Sequence, residues 1–144
     1  MKIQSLGHVV LKVRDRKRSE AFYAGVLGLP LVARFEGPLM SFFSLGDHHD
    51  FAVMEVGPDA PLPAENGVGV HHVAFKIGNS LDDLKKAKAY LEGAGIPVKP
   101  VDHEVTQSLY MQDPDGNGIE VYVDVSDVWR AEPQRVAQGR PLAI

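Results

Sequence analysis

An internal repeat constrains the fold of this chain more than any other feature of its sequence. The segment His8-Val-Val-Leu-Lys-Val13 aligns with His72-Val-Ala-Phe-Lys-Ile77, and His, Val and Lys coincide. Each copy is followed by a helical pattern, by a Gly-apolar-Pro sequence and by three short strand-like runs. A repeated supersecondary unit predicts two similar modules. We therefore predict an α+β fold that is built from two β-α-β-β-β modules.

The repeat also predicts where the modules and their elements lie. Module one covers about residues 1–56, a linker rich in Pro and Gly about 57–69, module two about 70–125 and a C-terminal tail about 126–144. Apolar residues at helical spacing predict helices around Phe22 to Leu27 and Leu81 to Leu91. The predicted strands that follow them are about 31–36, 41–45 and 51–56, then 98–101, 108–112 and 118–124. No firm structure is predicted for the tail, although Trp129 is expected to anchor it to the domain or to a partner.

Composition limits the classes of protein to which the chain can belong. Its 144 residues are 44% hydrophobic, which fits a single domain over 1–144 with a sizeable core. The sequence contains no Cys, which excludes disulfides and thiolate metal sites. A formal net charge of -4 argues against nucleic acid as a partner. The sequence has no long apolar run that would predict a membrane segment or a signal peptide. We expect a soluble cytoplasmic protein.

The two repeated histidines and one later glutamate are candidate metal ligands. Because side chains two apart share a strand face, His8 lies on the face of Lys12, and His72 lies on the face of Lys76. If the modules pack as a pseudo-symmetric pair, His8 and His72 can converge, and Glu120 on the last strand can complete the site. Two imidazoles and one carboxylate that leave open positions suit nonheme Fe(II). A single strand histidine is more often an ordinary half-buried side chain, but repetition in register favours ligands.

Further candidate catalytic side chains lie on the last hairpin of module two. His103 precedes Tyr110 by seven residues, and the turn Asp113-Pro-Asp-Gly116 leads to Glu120. An imidazole can transfer protons near neutral pH, and a phenol can donate a hydrogen bond to an oxyanion. The alternative is an ordinary hairpin with typical turn residues. By the same alternation, His71 faces away from His72 and is interpreted as structural.

These patterns resemble a known group of enzymes. The spacing from His103 through Tyr110 and the turn to Glu120 is similar to the signature of extradiol ring-cleavage dioxygenases, which belong to the vicinal oxygen chelate superfamily. The segment Gly46-Asp-His48-His49 resembles the place where these enzymes carry their acid-base histidine, here His49; two solvated histidines in a polar turn are the alternative. The resemblance covers about residues 5–125 and implies modules that form an incomplete barrel around a metal site.

The resemblance also implies a function. The metal ligands fall on His8, His72 and Glu120, and the metal is expected to be Fe(II), with Mn(II) or another divalent ion as the alternative. The expected substrates are a small catechol-type aromatic diol and O2. His49 would transfer protons, while His103 and Tyr110 would hydrogen-bond the substrate oxygens. Because enzymes of this group often carry a second copy of the domain, and this sequence has one, a homodimer is expected.

Other functions stay open at this point. The same ligand spacing permits a glyoxalase-like isomerase or a fosfomycin-resistance-like transferase, although neither gives His103 and Tyr110 a role. A drug-binding protein of the bleomycin-resistance type would need no metal. Glyoxalases and the related epimerases use a fourth protein ligand, and alignment of the modules places Ala52 there, while Glu55 is the nearby alternative.

Overall fold

The computed structural model describes residues 1–144, and its contacts divide them into two compact units. Unit one consists of Met1–Gly67 and Asp113–Gly116. Unit two consists of Val68–Gln112 and Asn117–Ile144. Neither of the helices α1 and α2 described below has the length and apolar character that a membrane-spanning helix requires.

Unit one is a four-stranded sheet with one helical segment. Its elements are β1 Val9–Val13, α1 Arg16–Glu20, which continues as a π-helical turn Ala21–Val26, β2 Leu31–Glu36, β3 Leu39–Phe43 and β4 Phe51–Glu55. The strand order is β1-β4-β3-β2, in which β1 and β4 are parallel and the other pairs antiparallel. The parallel pairing brings the start of β1 beside the loop that precedes β4.

Local sequence explains the limits of the first helix and the position of the core. The Asp15 carboxylate accepts a hydrogen bond of 2.8 Å from the Arg18 N–H and caps α1. Gly28 has a φ of 74°, a left-handed conformation that glycine adopts at low cost, and the chain turns there into β2. The core of the unit is apolar and includes Leu11, Val13, Phe22, Tyr23, Phe43, Phe51 and Val53.

Unit two repeats the arrangement and adds one strand. Its elements are β5 Val73–Gly78, α2 Leu81–Gly93, β6 Lys99–Asp102, β7 Thr106–Gln112, β8 Gly118–Asp124, two 3-10 turns at Val128–Arg130 and Pro133–Ala137, and β9 Arg140–Pro141. The strand order is β5-β8-β7-β6-β9, with β5 and β8 parallel. Ser80 caps α2 through a bond of 3.2 Å from the Asp83 N–H. Leu84, Leu91, Leu109, Ile119 and Val123 form the core.

The α+β class and the repeated order of elements are confirmed, and both sheets are open. The bounds predicted for β2 and β8 agree with the structure, whereas β3 begins two residues earlier than expected. The tail, to which the sequence assigned no firm structure, forms two 3-10 turns and the short strand β9, which pairs with β6. The division of the chain into one domain of two modules stays a prediction.

Candidate functional site

Three histidines lie together in unit one. His8 directly precedes β1, and His48 and His49 lie in the loop before β4. Because β1 and β4 are neighbours, the Val9 N–H donates to the Asp50 carbonyl at 3.2 Å, which brings this loop to His8. The ring centroids of His8 and His49 are 4.2 Å apart, and the nitrogens of the three imidazoles lie within 4.8 Å of one another. No sequence pattern predicts that His48 belongs to this cluster.

His49 differs from His48 in its surroundings. His49 is half-buried and contacts Phe42 edge to face, with ring centroids 5.3 Å apart, while His48 is exposed. Burial lowers the pKa of His49 first, and the neighbouring His8 and His48 lower it further. A histidine with a lowered pKa is neutral at neutral pH, so its imidazole can accept a proton.

Two of the predicted ligands meet in unit two. His72 directly precedes β5, and Glu120 lies on β8 opposite Ala74. The His72 Nε2 lies 3.0 Å from a carboxylate oxygen of Glu120, whose side chain is only 8% exposed. Nitrogen and oxygen ligands that bind one metal at about 2.1 Å and at right angles lie about 3 Å apart. The pair therefore fits a divalent metal, and a buried carboxylate without a cation would be costly.

His71 is part of the same group, contrary to its interpretation as a residue that faces away. Its Nδ1 lies 2.7 Å from the Nδ1 of His72. With Nε2 of His72 turned toward Glu120, this bond holds the other ring nitrogen and fixes the orientation of the imidazole. Alternation fails here because both histidines precede the regular strand β5.

Tyr110 and His103 extend this group across the sheet. Tyr110 lies opposite Glu120 in the β7–β8 pair, and its ring meets that of His72 edge to face at 5.3 Å. The Tyr110 hydroxyl lies 2.9 Å from the His103 Nε2. Burial, followed by the charge of Glu120 and a hydrogen bond to it, raises the pKa of Tyr110 to about 12. Tyr110 is therefore a phenol at neutral pH and can donate a hydrogen bond.

A cavity of about 480 Å³ borders this group within unit two. Glu120 and Tyr122 line it from β8, and Val105 lines it from the turn before β7. Trp129 and Val136 of the tail form further parts of its wall. The cavity thus combines aromatic and aliphatic surface with the carboxylates of Glu120, Asp124 and Asp127 and the guanidinium of Arg130, which suits a small molecule that has a polar and an apolar end.

The predicted site residues thus fall into two groups. Unit two brings together His72, Glu120, Tyr110 and His103, and unit one holds His8 with His49. The alternative ligand Glu55 accepts a hydrogen bond of 2.8 Å from the Arg16 N–H at the start of α1. Its carboxylate therefore already has a structural role.

Comparison with known proteins identifies the family. The model of the glyoxalase/bleomycin resistance protein/dioxygenase superfamily matches residues 5–121. The chain belongs to this superfamily. It is 35% identical over 119 residues to biphenyl-2,3-diol 1,2-dioxygenase 2 of Rhodococcus globerulus, a match that covers 81% of this chain and 61% of that protein. The chain therefore spans about three fifths of that dioxygenase.

Other members of the superfamily are also similar. The chain is 27% identical over 128 residues to lactoylglutathione lyase of Salmonella typhimurium, which covers 85% of this chain and 94% of the lyase. A crystal structure of a glyoxylase/bleomycin resistance protein/dioxygenase domain from Frankia sp. EAN1pec superposes with a TM-score of 0.72. That match covers 85% of this chain and 99% of the domain at 23% identity, so the likeness concerns the fold.

Proposed function

We propose that the protein is a metal-dependent extradiol dioxygenase that cleaves a catechol-type aromatic with O2. The observation that carries this proposal is the grouping of His72, Glu120, Tyr110 and His103 on one sheet. A metal-binding pair lies there beside a phenol and an imidazole, next to a cavity with aromatic walls. The similarity to a biphenyl-diol dioxygenase over most of this chain supports the same activity.

The metal would be held by His72 and Glu120, with His8 as the third ligand assigned from the sequence repeat. Fe(II) is the proposed ion, and Mn(II) is the alternative, because both accept imidazole and carboxylate ligands. When bound with three protein ligands, such an ion supplies open positions for the diol and for O2.

The side chains around the ligands would orient the substrate and move its protons. His49, with its lowered pKa, would accept a proton from a substrate hydroxyl. Tyr110 remains protonated and would donate a hydrogen bond to a substrate oxygen. Without substrate, the single proton of the Tyr110 hydroxyl faces the His103 Nε2 at 2.9 Å, and a bound substrate oxygen would take this hydrogen bond in place of His103. The aromatic ring of the substrate would occupy the cavity between Tyr122 and Trp129.

The oligomer and the location of the protein are part of the proposal. We infer a homodimer in the cytoplasm from the superfamily resemblance. Sedimentation equilibrium tests the dimer, since a mass close to that of one 15.7 kDa chain at micromolar concentration would contradict it.

Oxygen consumption tests the proposed reaction. The protein is loaded anaerobically with Fe(II) and assayed with an oxygen electrode over a panel of monocyclic and bicyclic catechols. We expect O2 uptake and a yellow ring-opened product. The matched control is protein loaded with redox-inactive Zn(II), which should consume no O2.

The similarity to lactoylglutathione lyase supports an isomerase as the second candidate, because the match covers nearly all of that enzyme. An isomerase would turn over a glutathione-dependent substrate and consume no O2. Such turnover, together with no O2 uptake on any catechol, would replace the dioxygenase by the isomerase. The isomerase leaves the bond between Tyr110 and His103 without a role.

A further inference from the structure

The C-terminal strap, which we define as residues 126–144, is fastened to the turn that carries His103. Strand β9 pairs with β6, and the Arg140 guanidinium donates to one oxygen of Asp102 at 3.0 and 3.2 Å. The other oxygen of Asp102 accepts the Glu104 N–H at 2.7 Å. Arg135 of the strap also pairs with Glu104 at 2.8 Å. Asp102 and Glu104, which flank His103, are therefore both tied to the strap.

The strap also contacts the imidazole itself. The Nδ1 of His103 lies 2.6 Å from the backbone carbonyl oxygen of Gln138. A carbonyl oxygen can only accept, so Nδ1 must carry the proton of this bond. In the neutral imidazole the unprotonated nitrogen is then Nε2, which lies 2.9 Å from the Tyr110 hydroxyl.

Gly139 of the strap also lies against the His103 ring. A Cβ at residue 139 would lie 3.4 Å from Nδ1 and 3.6 Å from Cε1 of His103, at ordinary contact distance. The strap backbone therefore packs directly against the ring, and both ring nitrogens have a defined partner. A ring held in this way keeps one orientation and one tautomer.

We propose that the C-terminal strap is a positioning element of the site, because its Gln138 carbonyl fixes the tautomer of His103 and presents Nε2 to Tyr110 and the substrate. The consequence for turnover rests on the proposed dioxygenase function. The assignment of the His103 tautomer does not rest on that function, because the tautomer is set by contacts within the chain alone. Gln138 acts through His103 and is not itself a catalytic residue.

The tautomer is tested by nitrogen-15 NMR of histidine-labelled protein without metal, at a mildly alkaline pH. The His103→Gln variant assigns the signals. We expect wild-type His103 as the Nδ1–H tautomer and the Arg135→Ala/Arg140→Ala variant as a mixture of both tautomers. Arg140→Lys, which keeps a donor for Asp102, should restore most of the wild-type spectrum when Arg135 is present. An Nε2–H tautomer in wild type, or an unchanged double variant, would overturn the proposal.

The catalytic consequence is tested on the Fe(II)-loaded protein. The double variant should lower kcat roughly tenfold with little change in KM, because the metal and the cavity walls would supply most of the substrate binding, while His103 acts on the reacting oxygens. Lys88→Ala, which removes an exposed ion pair with Glu92 on α2, is the control and should leave kcat unchanged. If wild type shows no dioxygenase activity, the proposed function fails while the tautomer result stands. If wild type is active and the double variant retains its kcat, the strap proposal fails.

Discussion

At the scale of single residues, two adjacent imidazoles have different surroundings. His49 is half-buried against Phe42 and lies between two other histidines, which lowers its pKa. His48 is exposed, with no shielding from water. The sequence pointed to His49 through a short resemblance, and the structure adds a physical reason why this ring is neutral.

Replacing His49 is the first prediction. His49→Ala should lower turnover roughly a hundredfold or more, the scale for loss of a positioned proton-transfer group. Metal content and catechol binding should stay nearly intact, because neither requires this imidazole. Steady-state oxygen uptake and metal analysis measure both effects. His48→Ala is the matched control and should have a much smaller effect. Equal and small effects from both variants would leave His103 as the better candidate for proton transfer.

Removal of Glu120 is the second prediction. The proposed site holds about one divalent metal per chain, and Glu120 supplies its only charged ligand. Glu120→Ala should lose most of this metal while circular dichroism shows that the fold persists. Glu55→Ala is the control, since the Glu55 carboxylate is engaged by the Arg16 N–H and should not affect metal content. Full metal occupancy in Glu120→Ala would contradict the ligand assignment, and metal loss in Glu55→Ala would make Glu55 a fourth ligand.

At the scale of elements, the sequence predicted the strands whose limits depend on the local order of residues. Strand β8 lies between a tight turn and the end of an apolar run, and its bounds follow from the sequence. Because β7 and β8 form an antiparallel hairpin, the approach of Tyr110 to Glu120 follows from their register. Strand β9 could not be predicted, since two residues acquire strand structure only by pairing with β6. The contact of Gln138 with His103 could not be predicted either, because it uses a backbone carbonyl, which every residue has.

The start of β8 gives the third prediction. A Cβ at Gly118 would overlap the His71 carbonyl oxygen and lie 3.2 Å from the His72 Cβ. Gly118→Ala must therefore displace the segment that carries His72, and we expect metal affinity to fall roughly tenfold or more. The free energy of unfolding should fall by about 1–3 kcal/mol. Metal titration calorimetry and urea denaturation measure the two effects.

Gly93→Ala is the matched control for this substitution. A Cβ at Gly93 has no neighbour within 4 Å, and the residue lies in the last turn of α2. Its replacement should leave metal affinity unchanged and stability equal or slightly higher. An unchanged metal affinity in Gly118→Ala would show that the close approach of the two segments does not position His72.

The attachment of the strap gives the fourth prediction, which concerns pH. The Glu104 N–H foremost, and then Arg140, lower the pKa of Asp102 below its ordinary value. Because the folded pKa is the lower one, this stabilisation is complete above about pH 4 and is lost as the pH falls through the folded pKa. The strap should therefore loosen in acid. Trp129, the only tryptophan of the chain, lies in the strap and reports this by its fluorescence.

A comparison with Asp102→Asn separates this effect from general unfolding. The variant should show a loosened strap already at neutral pH, with wild-type far-UV circular dichroism. In wild type the Trp129 emission should change at a higher pH than the circular dichroism does. Identical fluorescence profiles of the two proteins over the whole range would mean that Asp102 does not hold the strap.

At the scale of the whole molecule, one turn of the second half of the sequence is built into unit one. The turn Asp113–Gly116 connects β7 and β8, yet its contacts place it in unit one. The Arg14 N–H donates to Asp115 at 2.9 Å, and the fully buried Tyr23 donates to Asp113 at 2.7 Å. Burial, and then the charge of Asp113, raise the pKa of Tyr23, so its hydroxyl stays protonated.

The fifth prediction is that this turn couples the unfolding of the two units. Tyr23→Phe leaves the buried Asp113 carboxylate without that donor, which should lower the free energy of unfolding by about 1–3 kcal/mol. Because the turn is continuous with β7 and β8, its release should weaken both units together. Urea denaturation followed by circular dichroism and by Trp129 fluorescence should then show one shared, lower midpoint. Lys88→Ala, which removes an ion pair with Glu92 on α2, should shift neither signal by more than about 0.5 kcal/mol. A lower midpoint by circular dichroism with unchanged Trp129 fluorescence would mean that the units unfold independently, and that the turn stabilises unit one alone.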